Sequence, residues 1–122
     1  MGRQMKMLRD TILELSSLRD AFPKPDAALV DELLLRRISK WADDETSVQT
    51  LVDDLERLLG GVWFSTHERH ALVHLVLARL RDLVDAVGGM TMNERLVLFS
   101  LEERWDGSSE TDRAALRKKL LA

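Results

Sequence analysis

Apolar residues recur along the chain at three- and four-residue steps and never in sustained alternation, so the pattern predicts helices and no strands. Glycine, proline and capping residues divide that pattern into segments. From about Arg3 to Asp20, Met5, Leu8, Ile12, Leu15 and Phe22 mark one face of a first helix, and Pro23-Lys-Pro25 stops it, because the residue before a proline is pushed out of the helical region. Asp26 is the expected cap of a second helix. On it Val30, Leu34, Ile38 and Trp41 recur at steps of four, four and three, and Arg36 and Lys40 fall on the water side. A third helix is predicted from Thr46 or Ser47, where Thr46-Ser-Val-Gln49 has the spacing of a capping box. Its core stripe is Val48, Leu51, Val52, Leu55, Leu58 and Leu59, and Gly60-Gly61 closes it.

A second box, Ser65-Thr-His-Glu68, opens a fourth helix that runs through Val87 to Gly88-Gly89. Leu72, Val73, Val76, Leu80, Leu83, Val84 and Val87 share one side of it, which makes it the expected central helix. A third box, Thr91-Met-Asn-Glu94, opens a fifth helix that stops at Gly107. A short polar helix from about Glu110 to Leu121 ends on Arg117, Lys118 and Lys119, where the helix dipole favours cations. The order Gly-Gly, Ser or Thr, Glu-Arg occurs twice, from Gly60 to Arg69 and from Gly88 to Arg95. The two spacings differ, which favours repeated use of common stop and start signals over an internal duplication.

The expectation is therefore an all-α protein, a single compact bundle of five to six helices occupying residues 1–122 as one domain. At 122 residues, 45% apolar and 32% charged, the chain has enough apolar material to bury a core and does not have a disordered composition. It has no cysteine, which excludes disulfides, thiolate metal sites and cysteine nucleophiles. The first ten residues lack the apolar run of a secretion signal, position 6 is Lys6 where myristoylation wants Ser or Thr, and no segment approaches the roughly 18 apolar residues of a membrane span. A cytoplasmic location follows as the expectation.

Charge changes this picture most. Between Asp43 and Glu56 stand six carboxylates (Asp43, Asp44, Glu45, Asp53, Asp54 and Glu56) and no Lys or Arg, in a chain with 18 basic and 21 acidic side chains overall. The acidity is local. Asp43, Asp44 and Glu45 precede the third helix and stabilise its N-terminus, whereas Asp53, Asp54 and Glu56 lie opposite its apolar stripe. A solvated helix face usually mixes signs, so the second group reads either as plain solvated surface or as a face for a basic partner. Two apolar features carry a similar choice. On the fifth helix Val97, Leu98, Leu101 and Trp105 share one face while Met92, Leu96 and Phe99 occupy nearly the opposite one, so the helix is either buried on both sides or offers one to a partner. Trp63 and Phe64, after Gly60-Gly61, read as a plug under the bundle or as an exposed anchor.

Catalytic chemistry has little support. His67, His70 and His74 fall on one stripe of the fourth helix, about 140° from the centre of its apolar face, and are expected to be exposed. Two neighbouring imidazoles can chelate a metal, but three on one straight helix span about 10 Å of rise and do not converge on one ion. His67-Glu-Arg-His70 is one residue short of the zinc-protease spacing. No Glu-x-x-His pair supports a di-iron site, both Gly-Gly pairs follow helices where a phosphate loop follows a strand, and no nucleophile elbow is present. No catalytic residue, metal or cofactor is assigned. A helix-turn-helix reader would need exposed Arg, Asn, Gln or Ser opening a recognition helix, and Met92-Asn-Glu-Arg95 turns apolar at once. The acidic stretch opposes phosphate, although Arg36, Arg37 and Lys40 form a modest basic patch, so nucleic acid is not the expected partner.

The segment Met90-Thr-Met-Asn-Glu-Arg-Leu-Val-Leu-Phe-Ser-Leu-Glu-Glu-Arg-Trp-Asp106 resembles a motif of small bacterial helical proteins in which Asn-Glu-Arg-Leu opens a helix and an acidic-aromatic pair closes it; here the closing element is Arg104-Trp-Asp106. In size, helicity and acidic face the chain is similar in type to the immunity proteins that neutralise bacterial nuclease toxins. That resemblance implies a bacterial, non-enzymatic inhibitor. It would use Asp43, Asp44, Glu45, Asp53, Asp54 and Glu56 to steer a basic protein partner, and Trp63, Phe64 or Phe99 to supply buried contact area. The alternatives are a structural or assembly module acting as a helical homodimer through the two-faced fifth helix, and a small-ligand or metal-binding bundle centred on His67, His70 and His74.

Overall fold

The structure, a computed structural model, describes residues 8–121. The predicted start of the first helix near Arg3, with Met5, lies outside them. Among the described residues every regular element is helical. Helix α1 is Leu8–Ala21. Helix α2 is continuous over residues 24–41, with Lys24–Leu29 and Arg36–Trp41 joined by a π turn at Val30–Leu35. Next come α3 (Val48–Gly60), α4 (His67–Asp85), a 3-10 turn at Val87–Gly89, α5 (Met92–Leu98), α6 (Glu102–Asp106) and α7 (Glu110–Lys119). Among the described residues the count is seven helices, not five or six.

The extra helix arises inside the predicted fifth one. Phe99 and Leu101 would point about 200° apart on a continuous helix, yet both are buried. The chain reconciles them by turning at Ser100, whose φ is 58°. The amide of Ser100 bonds Val97 O at 3.2 Å and that of Leu101 bonds Leu96 O at 2.9 Å, the pair of bonds of a Schellman ending. Both opposed apolar groups thereby reach the core, through Leu96 and Phe99 from one and Leu101 from the other. Val97 stays 44% exposed.

The buried side chains form one cluster that runs from Leu8 and Leu15 of α1 through Val30, Leu34, Ile38 and Trp41 of α2 to Leu116 and Leu120 at the end of the chain. Helix α4 contributes Val73, Val76, Leu77, Leu80, Leu83 and Val84 and packs against α1 and α3. Leu72, placed in its core stripe by spacing, is 45% exposed beside Leu75, at 48%.

The caps depart from the predicted boxes in an informative way. Pro23, not Asp26, is the N-cap of α2, and Asp26 lies inside the helix, buried. Its carboxylate accepts the Ser65 amide at 2.9 Å and the Ser65 hydroxyl, and Arg69 stands 3.6 Å away. With Ser65 engaged there, Thr66 caps α4 by accepting the Arg69 amide. Ser47 caps α3 in the same way through the Thr50 amide, without the reciprocal glutamine; Gln49 donates to Asp53 instead. The box at Thr91 and Glu94 forms in full.

Candidate partner-binding face

The acidic stretch holds its cations after all, drawn from other parts of the fold. Asp44 pairs with Arg37 of α2 at 3.2 Å and with Lys119 of α7 at 3.3 Å. Asp54 pairs with Arg37 and Arg57. Arg81 of α4 reaches Asp53 and Glu56 at 2.6 Å each and stands 4.0 Å from Asp85. Asp43 and Glu45 are exposed and have no ion pair among the described residues. Apart from Arg57, which lies on α3 itself, the counter-charges are supplied across helix interfaces.

These contacts hold the ionised forms in place. Burial alone would push the Asp44 carboxyl up, but hydrogen bonds from the Thr46 hydroxyl and amide, followed by Lys119, outweigh it and lower it to about 2. The hydrogen bond from Arg81 lowers Asp53, against partial desolvation. The bonds to Glu56 and then Asp53 raise Arg81. Lys119, 99% buried, is pulled the other way: loss of water lowers it more than Asp44 raises it. Its ammonium donates to the main-chain oxygens of Trp41, Asp44 (2.7 Å) and Thr46 (3.1 Å) and sits over the Trp41 ring. At the end of α7 it closes the α2–α3 turn, a role beyond the dipole contact predicted for it.

The aromatic candidates separate. Phe64 is buried and meets Phe22 edge to face, and Phe99 is buried edge to face against Trp41. Both follow the core alternative, so neither presents surface to a partner. Trp63 is 77% exposed, and its indole stacks on the His70 ring with centres 4.6 Å apart and planes 21° from parallel.

The histidines are less uniformly exposed than their stripe implied. His70 is half-buried under Trp63, with Phe64 tilted against it, and its Nε2 lies 2.8 Å from Nε2 of His74. Partial burial, then the neighbouring His70, lowers His74 below the usual imidazole range. His67 is exposed. Among the described residues no group of three or more His, Cys, Asp or Glu side chains is arranged to hold a metal.

Along α4, residues 70, 74, 81 and 85 share one stripe, so Trp63 on His70 and the Arg81 cluster mark two ends of one face about 16 Å apart. At one end is an exposed indole held by stacking. At the other, three carboxylates surround a single guanidinium.

Sequence reasoning missed Asp26, Arg95 and Lys119 as buried polar groups. Asp26 stands four residues before Val30 on the stripe Val30–Leu34–Ile38, and Lys119 stands between Leu116 and Leu120 on that of α7. A charged residue at a core position signals a partner elsewhere. Arg95, 7% exposed, bonds Met90 O and Leu120 O and so ties α5 to the end of α7.

No known protein family, curated protein or solved structure matches the chain. Among the described residues no helix is long and apolar enough to cross a membrane.

Proposed function

We propose that the protein acts by binding another protein, through the α3–α4 face that runs from Trp63 to the carboxylates around Arg81. Trp63 is the observation that carries this reading. An indole 77% exposed yet fixed against His70 offers a large contact area and has little freedom left to lose on binding. The excess of carboxylate over guanidinium at Asp53, Glu56, Asp85 and Arg81 favours a basic partner. With the resemblance in type to immunity proteins, the concrete form is an immunity or antitoxin-type inhibitor of a basic bacterial toxin, acting without catalysis in the cytoplasm. Asp43 and Glu45, exposed in the turn between α2 and α3, add to long-range steering. The test is affinity capture from the native host with the wild-type chain and with Trp63→Ala: a protein retained by the first and lost from the second is expected. Equal retention by both overturns the reading.

A separate observation favours self-association as a second reading. Phe99 is in the core, so a homodimer through the fifth helix has lost its anchor. Leu13, Leu72 and Leu75, between 45 and 57% exposed, line a groove between α1 and α4 beside the Glu14–Arg79 pair. A solution mass of two chains that falls to one with Leu72→Glu and Leu75→Glu would establish it; a monomeric wild type would dismiss it.

A further inference from the structure

We propose that His70 and His74 form a two-nitrogen site for a divalent transition-metal ion, with Cu2+ the best fit. The residues run His70-Ala-Leu-Val-His74, one helical turn apart, which is the spacing that lets two imidazoles on a helix meet at one metal. Position 71 is alanine where the zinc-protease motif places its general base, so the site binds without hydrolytic machinery.

The two nitrogens are close enough to share one ion. The two Nε2 atoms are 2.8 Å apart, while the ring centres are only 4.3 Å apart with planes at 53°. A head-on contact between the nitrogens would hold the ring centres about 5 Å apart. The rings are therefore inclined to the line between the nitrogens and not aligned along it. An ion at about 2.0–2.1 Å from each would subtend roughly 85–90°, the angle between adjacent positions of a tetragonal or octahedral ion, whereas a tetrahedral ion wants the nitrogens about 3.3 Å apart. The general affinity order of nitrogen ligands for divalent ions then ranks Cu2+ above Ni2+ and Zn2+.

The surroundings hold the pair ready. Trp63 lies flat on His70 and restricts that ring. With two protein ligands, the remaining coordination positions belong to water or to a side chain of a bound partner. The metal site is read on the protein alone, so its outcome is independent of the partner proposed above.

The full chain is titrated separately with CuCl2, NiCl2 and ZnCl2, followed by calorimetry and tryptophan fluorescence. One Cu2+ per chain is expected, bound more tightly than the other two ions, with strong quenching that disappears in Trp63→Phe while the calorimetric binding remains. His74→Gln, at an exposed position, should weaken binding by at least about tenfold, and His67→Gln should leave it within about twofold. His70→Gln, checked for unchanged helicity, should match His74→Gln. Unsaturable uptake, binding unaffected by His74→Gln, or equal loss on His67→Gln would each overturn the site and show diffuse association with surface imidazoles.

Discussion

The ammonium of Lys119 donates to the main-chain oxygen of Asp44 at 2.7 Å, fastening the last helix to the turn that begins the acidic stretch. The same nitrogen satisfies carbonyls of Trp41 and Thr46, and Asp44 in turn receives the Thr46 amide at 3.0 Å. Arg37 adds the other side of the Asp44 carboxylate. The carboxylates that looked like an open binding face are at this end a structural joint between α2, α3 and α7.

Lys119→Met, which keeps most of the side-chain volume while removing the donor, should destabilise the protein by about 2–4 kcal/mol, because buried carbonyls lose their partner. The midpoint of urea unfolding measures it. A loss below about 0.5 kcal/mol, the size of an ordinary surface substitution, would mean that water replaces the ammonium without penalty.

Acid should open the same joint. Asp44 titrates at about 2 in the folded chain against 3.8 ordinarily. A depressed carboxyl stabilises the fold above its unfolded value, so this contribution is complete above about pH 5 and lost as pH falls through 3.8 toward 2, amounting to roughly 1–2 kcal/mol. Asp44→Asn should be less stable at neutral pH and flatten the decline between pH 4 and about 2. Chemical denaturation at stepped pH reads both effects; parallel curves for variant and wild type would remove Asp44 from the acid response.

Helix existence was legible in the sequence because apolar spacing reports which face is buried, and the stripes Val30–Leu34–Ile38–Trp41 and Val48–Leu51–Val52–Leu55–Leu59 are buried as spaced. The break at Ser100 was not, since no glycine or proline marks it; its cause is the competing pull of Phe99 and Leu101 on the core. Candidate site residues were harder still. A run of residues contains no information about which cations arrive from other helices, so Asp53, Asp54 and Glu56 looked unpaired until Arg37 and Arg81 were placed beside them. The division of Trp63 from its neighbour Phe64 likewise depends on His70 offering a stacking surface, which spacing alone does not show.

Ser100 holds a left-handed backbone conformation that costs a residue with a Cβ roughly 1–2 kcal/mol. Ser100→Gly relieves that strain at an exposed position and should raise stability by up to about 1 kcal/mol, part of the gain being offset by the freedom glycine has in the unfolded chain. Ser100→Val should lower stability by more than 1 kcal/mol, taken roughly, because a branched Cβ tolerates the conformation least. Thermal midpoints in the order glycine, serine, valine are the expected outcome. Any other order would show that the turn between α5 and α6 is not held at this residue.

Reversing Asp54 to lysine would set it against Arg37 and Arg57 and so confound partner binding with stability. Asp43 and Glu45 are the cleaner positions, being exposed and outside the paired network. Asp43→Lys with Glu45→Lys should change stability by less than about 0.5 kcal/mol. It should also slow association with a basic partner several-fold at low salt, an effect that fades as ionic strength rises. An unchanged association rate in dilute buffer would leave the carboxylates around Arg81 as the only electrostatic part of the binding face.

Adjacent aromatic residues give the sharpest separation of fold from function. Phe64 is buried against Phe22, so Phe64→Ala should cost about 3–4 kcal/mol through lost contacts and the cavity left behind. Trp63, one residue earlier, covers only the outer face of His70 and projects into water, so Trp63→Ala should cost about 1 kcal/mol or less. Partner binding should respond in the opposite order. With a captured partner in hand, Trp63→Ala should weaken affinity by at least about 2 kcal/mol, the loss that marks an anchor residue at an interface centre. Phe64→Leu, which keeps an apolar side chain under the loop, should leave affinity near that of the wild type in molecules that remain folded. If instead Trp63→Ala unfolds the chain, the stack on His70 is part of the core's support, and the exposed indole loses its claim to be a binding anchor.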